Sequence, residues 1–164
     1  GELVSSSRSV TGTMPVKATH LYTIWNDAVL DSVDTGIHFN ESYASTGQAG
    51  ASGFDHDLYC HDGGEGCATW LYSGNFGPHP IGSQTLLFEA SSSFSMPEGA
   101  SELSMPVSAG EVLLGKLQAR YYIKIYVMET PEYPGGPADA CGIRLYYDYQ
   151  PIQDLYLFTT DSLP

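Results

Sequence analysis

LQARYYIKIYVM, residues 117–128, decides the fold. Leu117, Ala119, Tyr121, Ile123, Ile125 and Val127 alternate with Gln118, Arg120, Tyr122, Lys124, Tyr126 and Met128. A period of two sends alternate side chains to opposite faces of a strand, so the stretch reads as one long strand with an apolar face. Residues 143–149 follow the same pattern, with Ile143, Leu145, Tyr147 and Tyr149 set against Arg144, Tyr146 and Asp148. No window carries apolar residues at i, i+3, i+4 and i+7, so helices are not expected.

Working outward, shorter strand candidates lie at 2–10, 20–25, 68–72, 84–89, 111–114 and 152–159. Turn-rich stretches separate them: SYASTGQAGASG (42–53), SGNFGPHPIGS (73–83) and SSSFSMPEGAS (91–101). Many strands joined by Gly, Pro and Ser predict an all-β chain, an antiparallel β-sandwich of jelly-roll or galactose-binding-like type. The 164 residues show no internal repeat and no linker, so residues 1–164 are expected to form one domain.

Six Lys and Arg face nineteen Asp and Glu, a formal charge of -13. That field repels a phosphate backbone and an anionic membrane, so nucleic acid is excluded as a partner. Divalent cations, neutral sugars and further copies of the chain fit better. No apolar run approaches the ~20 residues that span a bilayer, so membrane insertion is not expected. The chain begins at Gly1 and is rich in Ser, Thr, Gly and Tyr. It reads as a mature product that is secreted or held at the cell surface. Asn40-Glu41-Ser42 has the form of a glycosylation sequon.

FDHDLYCHDGGEGC, residues 54–67, is the densest chemical stretch. Asp55, Asp57, Asp62 and Glu65 offer oxygens to a hard cation, although the spacing is not that of an EF-hand. His56 and His61 could instead ligate zinc or copper, or act as acid and base. The bland alternative is a solvated acidic loop. Three cysteines cannot all pair within the chain. Cys60 and Cys67 enclose a glycine-rich loop that permits a small disulfide ring, and their pairing is expected. Cys141 then reads as a small buried hydrophobe. A bond to Cys60 or Cys67, and a bridge to another chain, are its alternatives.

ETPEYPGGPADACG, residues 129–142, is a second candidate. Pro134-Gly135-Gly136 makes a rigid turn with outward carbonyls, and Glu132 and Asp139 bracket it. Carboxylates and carbonyls on one curled loop suit calcium. An unliganded acidic hairpin loop is the alternative. Tyr121, Tyr122, Tyr126, Tyr133, Tyr146, Tyr147, Tyr149 and Tyr156 form an aromatic set that could stack on sugars, although alternation alone explains most of them as packing. For catalysis there is no G-x-S-x-G elbow, no HExxH and no glycine-rich phosphate loop, so nothing favours an enzyme.

Taken together, these pieces resemble the calcium-dependent galactophilic lectins of bacteria, the PA-I type. DLYCHD (57–62) is similar to that family's G-L-I-C-H-D run, with His56 just before it. EYPGGPADACG (132–142) resembles the family's calcium loop before a final strand, and GELVSS is similar to its first strand. Tyr43 lies about where the family has a tyrosine whose carbonyl reaches calcium. The resemblance implies calcium held by Glu132, the Gly136 carbonyl, Asp139 and the Tyr43 carbonyl. It also implies that His56 and Asp57 contact the hydroxyls of a glycan, such as one containing galactose. Glu132 replaces the family's Asp, and Ala140 stands where the family has a side-chain ligand.

The leading expectation is therefore a secreted, calcium-dependent carbohydrate-binding module. The alternative is a self-assembling subunit of an extracellular filament or surface layer. In that reading the segment GELVSSSRSV adds as a strand to a neighbour, and calcium bridges the homo-oligomer. A secreted hydrolase or metalloenzyme using His56 and His61 is a third reading.

Overall fold

A computed structural model describes residues 16–17, 20–29, 31–49, 51, 54–62, 67, 69–73, 86–89, 104–118, 120–155 and 158. Its strands, in chain order, are β1 (Val16–Lys17), β2 (Tyr22–Trp25), β3 (Gly36–His38), β4 (Ser45–Gly47), β5 (Leu58–Asp62) and β6 (Thr69–Ser73). They continue with β7 (Leu86–Glu89), β8 (Ser104–Val107), β9 (Val112–Lys116), β10 (Tyr122–Glu129) and β11 (Gly142–Tyr149). All pair antiparallel, in two sheets. One sheet has the order β1-β11-β10-β9-β7, with β2 also paired to β11. Its strand β11 meets β2 along Gly142–Leu145 and β1 at Asp148–Tyr149. The other sheet has the order β4-β3-β5-β6-β8. The expected all-β, two-sheet architecture is present.

The apolar faces of the two sheets meet in one core. Ile24, Leu113, Ile123, Ile125, Ile143 and Leu145 come from the first sheet, and Ile37, Leu58, Cys60, Leu71, Met105 and Val107 from the second. Tyr147 ties the sheets together. Its ring lies edge-on to Phe39 at 4.9 Å, and its hydroxyl donates to the Asn40 carbonyl at 2.6 Å. Burial raises its hydroxyl pKa well above the ordinary tyrosine value.

The stretch 117–128 does not form one strand. Strand β9 ends at Lys116, and a turn closes through Leu117 N–H to the Tyr121 carbonyl (2.9 Å) and Arg120 N–H to the Leu117 carbonyl (2.9 Å). Arg120 takes a φ of 69°, which an extended strand cannot contain. The alternation persists through the turn because Leu117 is buried and Tyr121 packs against the core on either side of it. Residues 152–155 likewise form a turn, with Asp154 at φ 59°, and not the expected strand. Two strands lie where turns or loops were expected: β4 within 42–53, and β5 within 54–67. The strand expected at 2–10 and the turns at 74–83 and 91–101 lie outside the described residues.

Candidate functional site

Strands β5 and β6 build the most distinctive surface. Period two turns Leu58, Cys60 and Leu71 into the core and Tyr59, His61, Trp70 and Tyr72 outward. The register sets Tyr59 opposite Tyr72 and His61 opposite Trp70. On the neighbouring strands the register pairs Gly36 with both Tyr59 and Gly47. A Cβ on Gly47 would stand 2.8 Å from the Phe54 ring, and one on Gly36 would stand 3.2 Å from the His56 Cβ. The two glycines thus make a trough on which Phe54 and His56 lie.

The result is a continuous row of rings. Phe54 stacks on His56 at 6.0 Å, His56 meets Tyr59 edge-on at 5.8 Å, and Tyr59 lies 5.4 Å from Tyr72. Tyr72 then lies 5.1 Å from His61 and 6.1 Å from Trp70. The row crosses β4, β3, β5 and β6, about 14 Å at the usual strand spacing. His56 is buried within it, and the other rings are half-buried. Burial lowers the His56 pKa and raises that of Tyr59, so both sit neutral near pH 7.

An acid–imidazole cluster adjoins His61. Asp27 Oδ2 lies 3.1 Å from His61 Nε2, Asp62 Oδ1 lies 3.5 Å from His61 Nδ1, and Asp62 N–H donates to Asp27 Oδ1 at 3.0 Å. Asn26 fixes the chain just before Asp27. It is fully buried, accepts Cys141 N–H at 3.1 Å, and donates through Nδ2 to the Asp139 carbonyl at 2.7 Å.

The residues named from sequence scatter. Asp57 accepts Phe39 N–H at 2.7 Å and pairs with His38 at 3.1 Å, so its carboxylate is engaged within the fold. That bond raises the His38 pKa. Glu132, Gly136 and Asp139 do share one loop, whose residues 132–138 line a depression of about 370 Å³. The Asp139 carbonyl there is taken by Asn26. Tyr43 is exposed on the β3–β4 connection, next to Ala44, whose backbone N–H donates to the Tyr22 hydroxyl at 2.9 Å.

The cysteine pairing also needs correcting. Cys67 is bonded to Cys141, and Cys60 is free. Cys60 sits on the inward face of β5, in the core, and burial pushes its thiol pKa well up. Its Sγ cannot turn out to meet Cys67, whereas the Cα atoms of Cys67 and Cys141 lie 5.6 Å apart.

No protein-family model, no curated protein and no solved structure matches the chain. The ring row was hidden in the sequence because its members come from two separate stretches. Alternation within LYCHD and TWLYS marks outward aromatics, and only their register shows that the two sets join.

Proposed function

We propose that the chain is a carbohydrate-binding β-sandwich that holds a neutral glycan along the ring row from Phe54 to Trp70. The row itself carries the reading. Aromatic faces stack on the C–H surfaces of sugars, and a row of them follows a chain of sugar units. Imidazole and carboxylate groups of His61, Asp27 and Asp62 stand beside the rings to hydrogen-bond hydroxyls. A charge of -13 disfavours phosphate-bearing or uronate-rich ligands. The Cys67–Cys141 bond suits an oxidising compartment, such as the extracellular space. Among the described residues no helix is long and apolar enough to cross a membrane.

Calcium enters this reading as an occupant of the 130–141 loop, held by Glu132, Asp139 and the Gly136 carbonyl. There it steadies the loop and does not touch the sugar. The test is an array of neutral oligosaccharides read with and without chelator. Trp70→Ala and Tyr72→Ala should each weaken binding about tenfold, near 1.4 kcal/mol. Chelation should leave binding in place and lower the melting temperature. An array with no signal, or binding indifferent to both substitutions, overturns the reading. Rings that instead join two copies of the chain would give a dimer on size exclusion that Tyr72→Ala dissociates.

A further inference from the structure

We propose that Asp27, His61 and Asp62 form a site for a divalent metal ion of the zinc class. Among the described residues these three bring an imidazole nitrogen and two carboxylates together, with one donor atom from each lying within 4.8 Å of the others. Donors 2.0–2.1 Å from a tetrahedral zinc stand about 3.3 Å apart. Asp27 Oδ2 and His61 Nε2 already stand at 3.1 Å. His61 Nδ1 meets the Asp62 carbonyl at 2.5 Å, so Nε2 is the nitrogen that faces the metal. The Asp62 carboxylate, which lies 3.5 Å from Nδ1 and is partly exposed, must swing round the ring edge to join it.

The donor set selects the metal. Calcium and magnesium demand six or more oxygens and tolerate imidazole poorly. One imidazole with two carboxylates suits zinc, and three protein ligands leave a fourth position open to water.

The scaffold around the site is stiff, which favours a metal over a loose ion pair. Asp27 follows Asn26, whose backbone N–H donates to the Cys141 carbonyl at 2.7 Å and whose side chain makes two further bonds. Cys141 is in turn tied to Cys67, in the connection that follows Asp62. His61 and Asp62 are set by β5 pairing with β6. Asp27 Oδ1 is engaged by Asp62 N–H, which leaves Oδ2 aimed at the imidazole. The overall negative charge attracts the cation.

The test is calorimetric titration of the whole, disulfide-intact chain with zinc ion alone, and with calcium and magnesium in parallel. Expected is one saturable zinc per chain, bound at least tenfold tighter than calcium, with a zinc-dependent rise in melting temperature. Asp27→Asn keeps the acceptor for Asp62 N–H and removes the charge. It and His61→Gln should each weaken zinc binding at least about tenfold, while melting in chelator stays close to that of the unsubstituted chain. Absence of saturable zinc binding overturns the proposal, as does zinc binding unchanged in both variants or calcium binding as tight as zinc. Trp70→Ala separates this site from the glycan reading: it should lose sugar and keep zinc.

Discussion

His56 and His38 titrate in opposite directions, and each direction has a visible cause. Burial among Phe54 and Tyr59 depresses the His56 pKa below its unfolded value near 6.5. Its contribution to stability is present above that value and is lost as pH falls through the folded pKa. His38 is raised, chiefly by its bond to Asp57. Its contribution is full below about 6.5 and is lost as pH rises through the folded pKa. On acidification from about pH 7.5 to about pH 5, His56→Phe should therefore lose less stability than the unsubstituted chain, and His38→Gln should lose more. Denaturant midpoints at both pH values check this, and the reverse ordering contradicts it. Neither environment was legible in the sequence. His56 stood out as a sugar contact through the lectin resemblance, but Gly36 and Gly47, on other strands, make the trough in which it is buried.

At the scale of elements, three connections are stitched together at one end of the molecule. The Cys67–Cys141 bond joins the β5–β6 connection to the head of β11, Asn26 joins the β2–β3 connection to the same point, and the Tyr133 hydroxyl donates to Asp31 at 2.9 Å. The disulfide closes a separation of 74 residues, which corresponds to about 4 kcal/mol in the chain-entropy model. Cys67→Ser should lose stability of that order, read from denaturant melts. Alkylation of the unfolded, unreduced chain should label Cys60 alone; a Cys60–Cys67 crosslink in the peptide map would contradict the pairing. Gly142 packs beneath Trp25, where a Cβ would stand 2.7 Å from the indole and 2.8 Å from the Ile24 carbonyl. Gly142→Ala should cost about 1–3 kcal/mol by overcrowding the β2–β11 pair, measured in the same melts.

Elements were legible where alternation stayed within one strand, as in β11. They were misread where a turn kept the apolar rhythm, as at Arg120, which made 117–128 look unbroken. Strand β5 was lost among acids, histidines and cysteines that drew attention as chemistry. Yet Leu58 and Cys60 face in and Tyr59 and His61 face out, as a strand requires. The cysteine pairing could not be read at all, because spacing along the chain says nothing about which face of β5 carries Cys60.

At the scale of the whole molecule, the two sheets show different outer faces. On the first sheet, Lys124 and Asp148 stand directly opposite each other and are buried, with the Tyr126 hydroxyl bonded to Asp148 at 3.0 Å. On the second sheet, the ring row is half-open and borders the Asp27, His61 and Asp62 cluster. Composition pointed to an acidic sandwich with many aromatics. It could not say that Tyr59, Trp70 and Tyr72 gather on one face while Tyr147 and Tyr149 go to the core. The two tryptophans offer a built-in comparison. Trp70 ends the ring row, and Trp25 packs edge-on to Tyr133 at 4.9 Å, beside the 130–141 loop. In a nitrogen–proton spectrum of isotope-labelled protein titrated with neutral oligosaccharides, the Trp70 indole signal should shift with saturation while the Trp25 signal stays in place. A Trp70 signal unmoved by every sugar, or movement confined to Trp25, would contradict glycan binding along the ring row.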